Sequence, residues 1–206
     1  MIHRLACRFF TKRVVNVDVV VWTFKPLWKP ISELKIRDVG ENILLFEFED
    51  VLDLKRVLDF EPWSYDKNLV AFQWVKDIES IPYLNYSRAT FWVQLHNLPK
   101  KSLKCKTGEL IGKSIDMVVK VADLKDNGTG GEFLRVRVTL DISKPLPRCS
   151  KLKLEGRQLG WVGIKYNDYL IFAIVVVVLL MMNVTAKNGF RVKRICGKMT
   201  SYMGSG

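Results

Sequence analysis

The sequence is poor in the residues that catalysis and metal binding need most. It has two histidines, His3 and His96, and four widely separated cysteines with no Cys-x-x-Cys spacing. A structural zinc site usually needs closely spaced ligands, and a Ser-His-Asp or Cys-His arrangement would have to use one of the two histidines. No paired-carboxylate motif stands out either. We therefore predict a protein that is not an enzyme and that holds no metal and no cofactor.

One short motif comes close to a phosphate-binding loop. Residues 108–114 read Gly-Glu-Leu-Ile-Gly-Lys-Ser, with three residues between the glycines where the Walker pattern has four. The segment also lies inside a helical pattern instead of directly after a strand. Both features argue against a nucleotide site.

Acidic residues are too few to balance the basic ones. The chain has 33 Lys and Arg against 21 Asp and Glu, a net charge of +12 and a pI near 9.6. Such a balance favours a polyanionic partner, namely RNA, DNA or an acidic membrane surface. The first 20 residues lack the continuous apolar stretch of a secretory signal, because His3, Arg4 and Arg8 interrupt it. We expect a protein of the nucleus or cytoplasm.

Residues 4–75 alternate between strand and helix patterns. Asn16 is suited to cap a helix that Pro26 and Pro30 would end. The predicted order is strand Leu5–Phe10, this helix, strand Glu33–Asp38, strand Asn42–Phe48, a helix through Val51–Leu58, a turn at residues 62–64, and strand Asn68–Val75. This βαββαβ order is ferredoxin-like and is shared with RNA-recognition folds, so the fold class is α+β.

The second half reads as a smaller, strand-rich α+β unit. We predict a polar connector over 76–89, strand Ala89–Leu95, a helix over Leu103–Ile115, a flexible turn at 127–131, strand Leu134–Asp141, and one or two more strands through Leu152 and Trp161–Ile164. The predicted division is a ferredoxin-like unit over 1–76, the second half of the same domain over 77–166, and a tail over 167–206.

The strand over Leu134–Asp141 has the clearest alternation in the chain. Arg135 and Arg137 are predicted to project from its outer face, opposite Leu134, Val136 and Val138. A row of basic side chains can neutralise phosphates and release counterions, although a solvated strand face would have the same pattern. The predicted phosphate contacts are Arg135, Arg137, Lys144 and Arg148, with Arg8, Lys12 and Arg13 as a second group.

Two aromatic residues on one predicted strand suggest a further possibility. Phe46 and Phe48 could stack on bases, as aromatic residues do in RNA-recognition folds. The basic and glycine residues that accompany such a motif are missing, and phenylalanine is more often buried in the core. We expect both residues to belong to the core.

Eleven segments between residues 5 and 166 together carry a family resemblance. They are Arg8–Thr11, Leu27–Pro30, Phe46–Phe48, Asp53–Leu58, Pro62–Asp66, Phe91–Pro99, Ile111–Gly112, Arg135–Val138, Asp141, Lys144–Leu146 and Gly163–Tyr166. In these segments the chain resembles the plant family called domain of unknown function 4283. Members of that family resemble gag-like proteins of plant LINE-type retrotransposons, in which a CCHC zinc knuckle usually follows the domain. The resemblance implies nucleic acid binding, to RNA or single-stranded DNA.

The tail departs from that family, which implies a Cys-x2-Cys-x4-His-x4-Cys knuckle after Tyr166. Restoring one base after Tyr166 permits codons for this pattern at Ala173, Val176, Met181 and Ala186, without a stop codon. Our hypothesis is that a single-base deletion or a sequence error put the tail out of frame, so that the zinc knuckle is lost. Zinc is then expected only if that frame were intact.

Two alternatives remain open at the level of the sequence. Residues 169–186 contain 18 residues without charge, close to the roughly 20 that a spanning helix needs, so a possible transmembrane helix would anchor a basic protein to a membrane. The other alternative is a protein-interaction or self-association module of a retroelement coat, without direct nucleic-acid contact.

Overall fold

The computed structural model describes residues 2–76, 81, 83–122, 133–153 and 159–166, with no side-chain description for 152, 153 and 159. The predicted turn at 127–131 lies outside the described residues. So do the tail over 167–206, its proposed knuckle positions and the apolar run over 169–186.

The first unit, residues 2–76, is a five-stranded antiparallel sheet with two helices. Its elements are β1 (His3–Phe9), α1 (Val17–Trp28), β2 (Leu34–Gly40), β3 (Ile43–Phe48), α2 (Val51–Asp59), β4 (Trp63–Tyr65) and β5 (Asn68–Val75). The strand order is β2-β3-β1-β5-β4. Asn16 caps α1 as predicted, because its side chain accepts hydrogen bonds from the backbone amides of Asp18 and Val19.

The second unit, residues 88–166, is also a five-stranded antiparallel sheet. Its elements are β6 (Arg88–His96), a single 3-10 turn (Lys100–Ser102), α3 (Cys105–Ile115), β7 (Met117–Val121), β8 (Leu134–Asp141), β9 (Cys149–Lys153) and β10 (Leu159–Lys165). The strand order is β7-β8-β6-β10-β9.

The two sheets repeat one topology. If β6 is matched to β1, α3 to α1 and β7–β10 to β2–β5, the strand orders are the same. The counterpart of α2 is missing, because residues 142–148 form no helix between β8 and β9. The second unit is therefore a version of the first that has a single helix.

Two apolar clusters hold the molecule together. One lies between the first sheet and its two helices and contains Phe24, Trp28, Phe46 and Phe48, so the expectation that both phenylalanines belong to the core is confirmed. The other contains residues from both sheets. The first sheet contributes Ala6, Leu45 and Ala71 from the face opposite its helices, and the second contributes mainly Phe91, Val93, Val136, Val138 and Ile164. The part of the helix-free face of the first sheet around Ala6, Leu45 and Ala71 is thus buried.

Two local predictions in the first unit were wrong. Pro26 does not end α1 but lies inside its last turn, and the helix ends at Trp28, followed by Lys29 with a φ of 45°. Residues 63–65 form the short strand β4 on the edge of the sheet instead of part of a turn. The α+β class and the ferredoxin-like order of the first unit are confirmed.

Candidate nucleic-acid interface

One face of the second sheet is covered by α3, which fits closely because of two glycines. A Cβ at Gly108 would lie 2.9 Å from Cγ1 of Val121, and a Cβ at Gly112 would lie 2.6 Å from Cγ2 of Val118. The glycines of the motif that resembles a phosphate loop therefore bring a helix against β7 and β8. They do not form a loop.

The opposite face of the second sheet, which we call the helix-free face, carries basic and aromatic side chains. Residues paired directly across antiparallel strands share a face. Lys120 on β7 is paired with Arg137 on β8, which is paired with Trp92 on β6. In the next row, Arg135 is paired with Gln94, which is paired with Lys165 on β10.

Three cations surround the indole ring of Trp92. The guanidinium carbon of Arg135 lies 4.9 Å from the ring centroid, the Nζ of Lys120 lies 5.6 Å away, and the guanidinium carbon of Arg137 lies 6.0 Å away. Lys120 is exposed, whereas Trp92 and Arg135 are half-buried. We call these four residues the Trp92 cluster. It places an aromatic ring and positive charge within one small area.

Further aromatic rings lie on or beside the same face. The ring of His96, at the end of β6, packs on Phe133 with centroids 4.8 Å apart and an interplanar angle of 31°. On the far side, the Nζ of Lys151 on β9 lies 5.0 Å from the ring centroid of Trp161 on β10. Trp161 is 52% exposed.

Arg137 does not project into solvent as predicted. Its side chain is 3% exposed, and its guanidinium donates hydrogen bonds to the backbone carbonyls of Leu58 and Asp59 at the C-terminal end of α2. These carbonyls lack partners within the helix and carry partial negative charge, so a guanidinium suits them. Arg137 therefore joins the second sheet to the first unit, and its charge is used by the protein itself.

A buried carboxyl group lies beside this junction. Glu61 follows α2, is 9% exposed and interacts with both Thr90 and Arg137. Burial raises the pKa of Glu61 to about 7, because desolvation penalises its charged form more than Thr90 and Arg137 favour it. The junction between the units thus contains a group that titrates near neutrality.

The other predicted phosphate ligands are spread over the molecule. Lys144 pairs with Asp141 at 3.0 Å, and the Ser143 hydroxyl together with Lys144 lowers the pKa of Asp141 to about 2. Arg148 is exposed just before β9. Arg8 lies over the rings of Phe10 and Tyr86, at 5.8 Å and 6.0 Å.

Lys12 and Arg13 are exposed on the first unit, and Arg13 lies 3.7 Å from Asp66. Of the seven predicted residues, Arg135 and Arg137 are brought together in the Trp92 cluster. The remaining five lie elsewhere on the two units.

Sequence reasoning missed Lys120, Trp92 and Lys165 as members of this face. A signal for Trp92 was present, because Trp92 and Gln94 alternate with the buried Phe91, Val93 and Leu95. Their outward position on β6 matches that of Arg135 on β8. Lys120 had no such signal, since β7 itself was not predicted.

Among the residues that the structure describes, no group of three or more His, Cys, Asp or Glu side chains is arranged to hold a metal ion. No helix in the described part of the chain is long and apolar enough to cross a membrane. The predicted apolar segment over 169–186 lies outside that part.

Comparison with known protein families confirms the resemblance for the first unit. Residues 4–80 match the model of the family described as "Domain of unknown function (DUF4283)". The match stops there, so the likeness over 81–166 stays a prediction. No curated protein matches the chain.

Solved structures with similar chains contain RNA-recognition domains. The chain is similar to the Sex-lethal protein in a complex with RNA (13% identity, 80% of this chain and 98% of that chain, TM-score 0.31). It is also similar to the RNA-binding domain of Hrp1 in complex with RNA (12%, 80% and 96%, 0.30) and to the first two RRM domains of yeast poly(U)-binding protein (16%, 80% and 99%, 0.27).

Proposed function

We propose that the protein binds single-stranded nucleic acid, RNA in the first place, through the helix-free face of its second sheet. The observation that carries the proposal is the Trp92 cluster, in which one indole ring lies among cations supplied by two neighbouring strands. An aromatic ring offers a stacking surface to an unpaired base of any identity, and the cations around it neutralise the phosphates on either side. We therefore expect binding that depends on salt and has low sequence specificity.

Burial elsewhere supports this choice of face. In RNA-recognition folds the sheet binds RNA through its open face. The corresponding face of the first sheet contributes Ala6, Leu45 and Ala71 to the core, with side chains at most 2% exposed. Bases therefore have no access to the centre of that face, although Lys35 and Arg37 on its edge strand β2 are exposed. On the second sheet Lys120, Lys151 and Lys165 are exposed beside the Trp92 cluster.

Titration of a fluorescent single-stranded RNA with the full chain, at two salt concentrations, tests the proposal. Trp92→Ala removes a stacking surface worth about 1–3 kcal/mol per base, so the affinity should fall roughly 5- to 150-fold. Arg135→Ala should weaken binding and reduce the salt slope by about one phosphate contact.

Lys113→Ala is the matched control, because Lys113 is exposed on α3, which covers the other face of the same sheet. It should leave both the affinity and the slope nearly unchanged. Wild-type affinity in Trp92→Ala and Arg135→Ala, or a larger loss in Lys113→Ala, would exclude the helix-free face as the interface.

The wider setting is also a proposal. We propose a non-catalytic, gag-like domain of a plant retroelement that acts in the nucleus or cytoplasm. The DUF4283 match over residues 4–80 supports the family resemblance from which this proposal follows. Resequencing this locus and its sister copies across codons 166 and 167 tests the frameshift hypothesis. The expected result is an extra base in the sister copies, and the same open frame without that base in all copies would refute the hypothesis.

A further inference from the structure

A second tryptophan, Trp161, is exposed on the same face, apart from the Trp92 cluster. Val162 and Ile164 of β10 are buried in the core that contains Ile111 of α3, so Trp161 points to the helix-free side. Lys151 is paired with Trp161 across β9 and β10, and its Nζ lies over the exposed ring. Trp161 and Lys151 therefore repeat the combination of ring and cation found at Trp92.

The strand register fixes the separation of the two tryptophans. His96 on β6 is paired with Gly163 on β10. Trp92 lies four residues from His96 along β6, and Trp161 lies two residues from Gly163 along β10, in the opposite direction from Trp92. The two tryptophans are therefore offset by six residues along the strands. Six residues correspond to about 20 Å along a strand, and the two strands are about 4.8 Å apart. At the spacing of roughly 3.4 Å per nucleotide of a stacked strand, the gap is about six nucleotides, and an extended strand would cross it with fewer.

The surface between the two tryptophans has a gap in its side chains at Gly163. A Cβ at this position would lie 3.6 Å from Nδ2 of Asn97 and 3.8 Å from Cβ of His96, which are ordinary contacts. Close packing therefore does not require glycine there. The missing side chain leaves the sheet open beside the stacked rings of His96 and Phe133, on the direct path between Trp92 and Trp161.

We propose that Trp161 and Lys151 form a second base-stacking station, and that the ligand is one unpaired strand lying along β6 and β10. The strand would run from Trp92 across Gly163 to Trp161. This inference rests on the proposed function and adds the path of the nucleic acid across the sheet and its minimum length. A duplex does not fit, because its bases are already paired and stacked on one another and cannot stack on the two indole rings.

Affinities of the full chain for a trinucleotide and for a dodecamer of single-stranded RNA test this inference. Trp161→Ala should weaken dodecamer binding roughly 5- to 150-fold and change trinucleotide binding little, because the trinucleotide occupies the more basic Trp92 cluster. Trp92→Ala should weaken binding of both. Lys113→Ala again serves as the control.

The outcomes separate the two proposals. Wild-type dodecamer affinity in Trp161→Ala, with a loss in Trp92→Ala, would overturn the second station and leave the proposed function standing. Wild-type affinity in both variants would overturn both.

A second variant covers the case in which Trp161→Ala misfolds. Gly163→Leu should block the path of the RNA between the two tryptophans and reduce the dodecamer affinity towards that of Trp161→Ala. Gly163→Ala adds only a Cβ that makes ordinary contacts, so it should have a smaller effect. Circular dichroism and thermal midpoints verify that each variant is folded. Undiminished dodecamer binding by a folded Gly163→Leu would place the strand elsewhere.

Discussion

Arg135 and Arg137 lie two residues apart on one strand and touch the same indole ring, yet their surroundings differ. Arg135 is half-buried on the helix-free face, whereas Arg137 is 3% exposed and bonded to carbonyls at the end of α2. Two hydrogen bonds through Nη1 and Nη2 compensate part of the cost of burying the Arg137 guanidinium, whereas its buried Nε has no hydrogen-bond partner among the described residues. The first arginine is therefore suited to a ligand and the second to holding the two units together.

Arg137→Ala should lower the free energy of unfolding by about 2–3 kcal/mol, because it removes two charge-assisted hydrogen bonds. The Asp59 carbonyl loses this donor, whereas the Leu58 carbonyl keeps the hydrogen bond from the Glu61 amide. Arg135→Ala should change the free energy of unfolding by less than about 1 kcal/mol. Chemical denaturation of both variants measures the difference. Equal destabilisation by the two substitutions would contradict the separate roles assigned to them.

The sequence predicted the side of β8 on which both arginines lie but not the burial of one. Alternation reports which side chains share a strand face. It carries no information about a contact between residues 78 or 79 positions apart, which is the separation between Arg137 and the carbonyls it binds. Burial of Arg137 depends on where α2 ends in space, and that is a property of the tertiary structure.

At the scale of elements, α3 lies unusually close to its sheet because Gly108 and Gly112 are one helical turn apart on the buried side. Their segment resembles a nucleotide-binding motif in sequence, but in the structure it lies inside the helix, as its pattern predicted. Glycine in a helix costs about 1 kcal/mol relative to alanine. Glycine is nevertheless needed at both positions, because the side chains of Val118, Val121 and Val136 occupy the space that a Cβ would need.

Gly112→Ala should therefore destabilise the protein by about 1–3 kcal/mol despite the better helix propensity of alanine, because Val118 and Val136 must move. Gly163→Ala is the matched control, since its Cβ has room. Thermal unfolding of the two variants makes the comparison. A Gly112→Ala variant as stable as the wild type would show that α3 can shift without loss.

Long elements were predictable and short edge elements were not. The strand over 134–141 was predicted with its observed bounds, since eight residues of strict alternation are informative. The three-residue β4 was mistaken for part of a turn because it follows Pro62 and is too short to show alternation. The strand β7 was not predicted, because its five residues are mostly apolar and show no alternation between apolar and polar side chains. The prediction that Pro26 ends α1 was wrong because a proline in the last turn of a helix disrupts few hydrogen bonds.

At the scale of the whole molecule, two sheets of one topology use their helix-free faces differently. That of the first sheet contributes to a core shared with the second, while that of the second carries charge and aromatic rings. The difference lies at the centres of the two faces: the first has the buried Ala6, Leu45 and Ala71 between Arg4 and Arg8, whereas the second has Trp92 and Arg135. The fold class and the basic character of the second half could be read from the sequence. The choice of face could not, because it depends on how the sheets pack.

Binding of RNA at the helix-free face of the second sheet is best tested by photocrosslinking the full chain to single-stranded RNA that contains 4-thiouridine, followed by mass spectrometry of the attached peptides. We expect crosslinks on peptides from β6, β8 and β10, above all those that contain Trp92 and Trp161. Crosslinks confined to the first unit, or to the exposed side of α3, would contradict it.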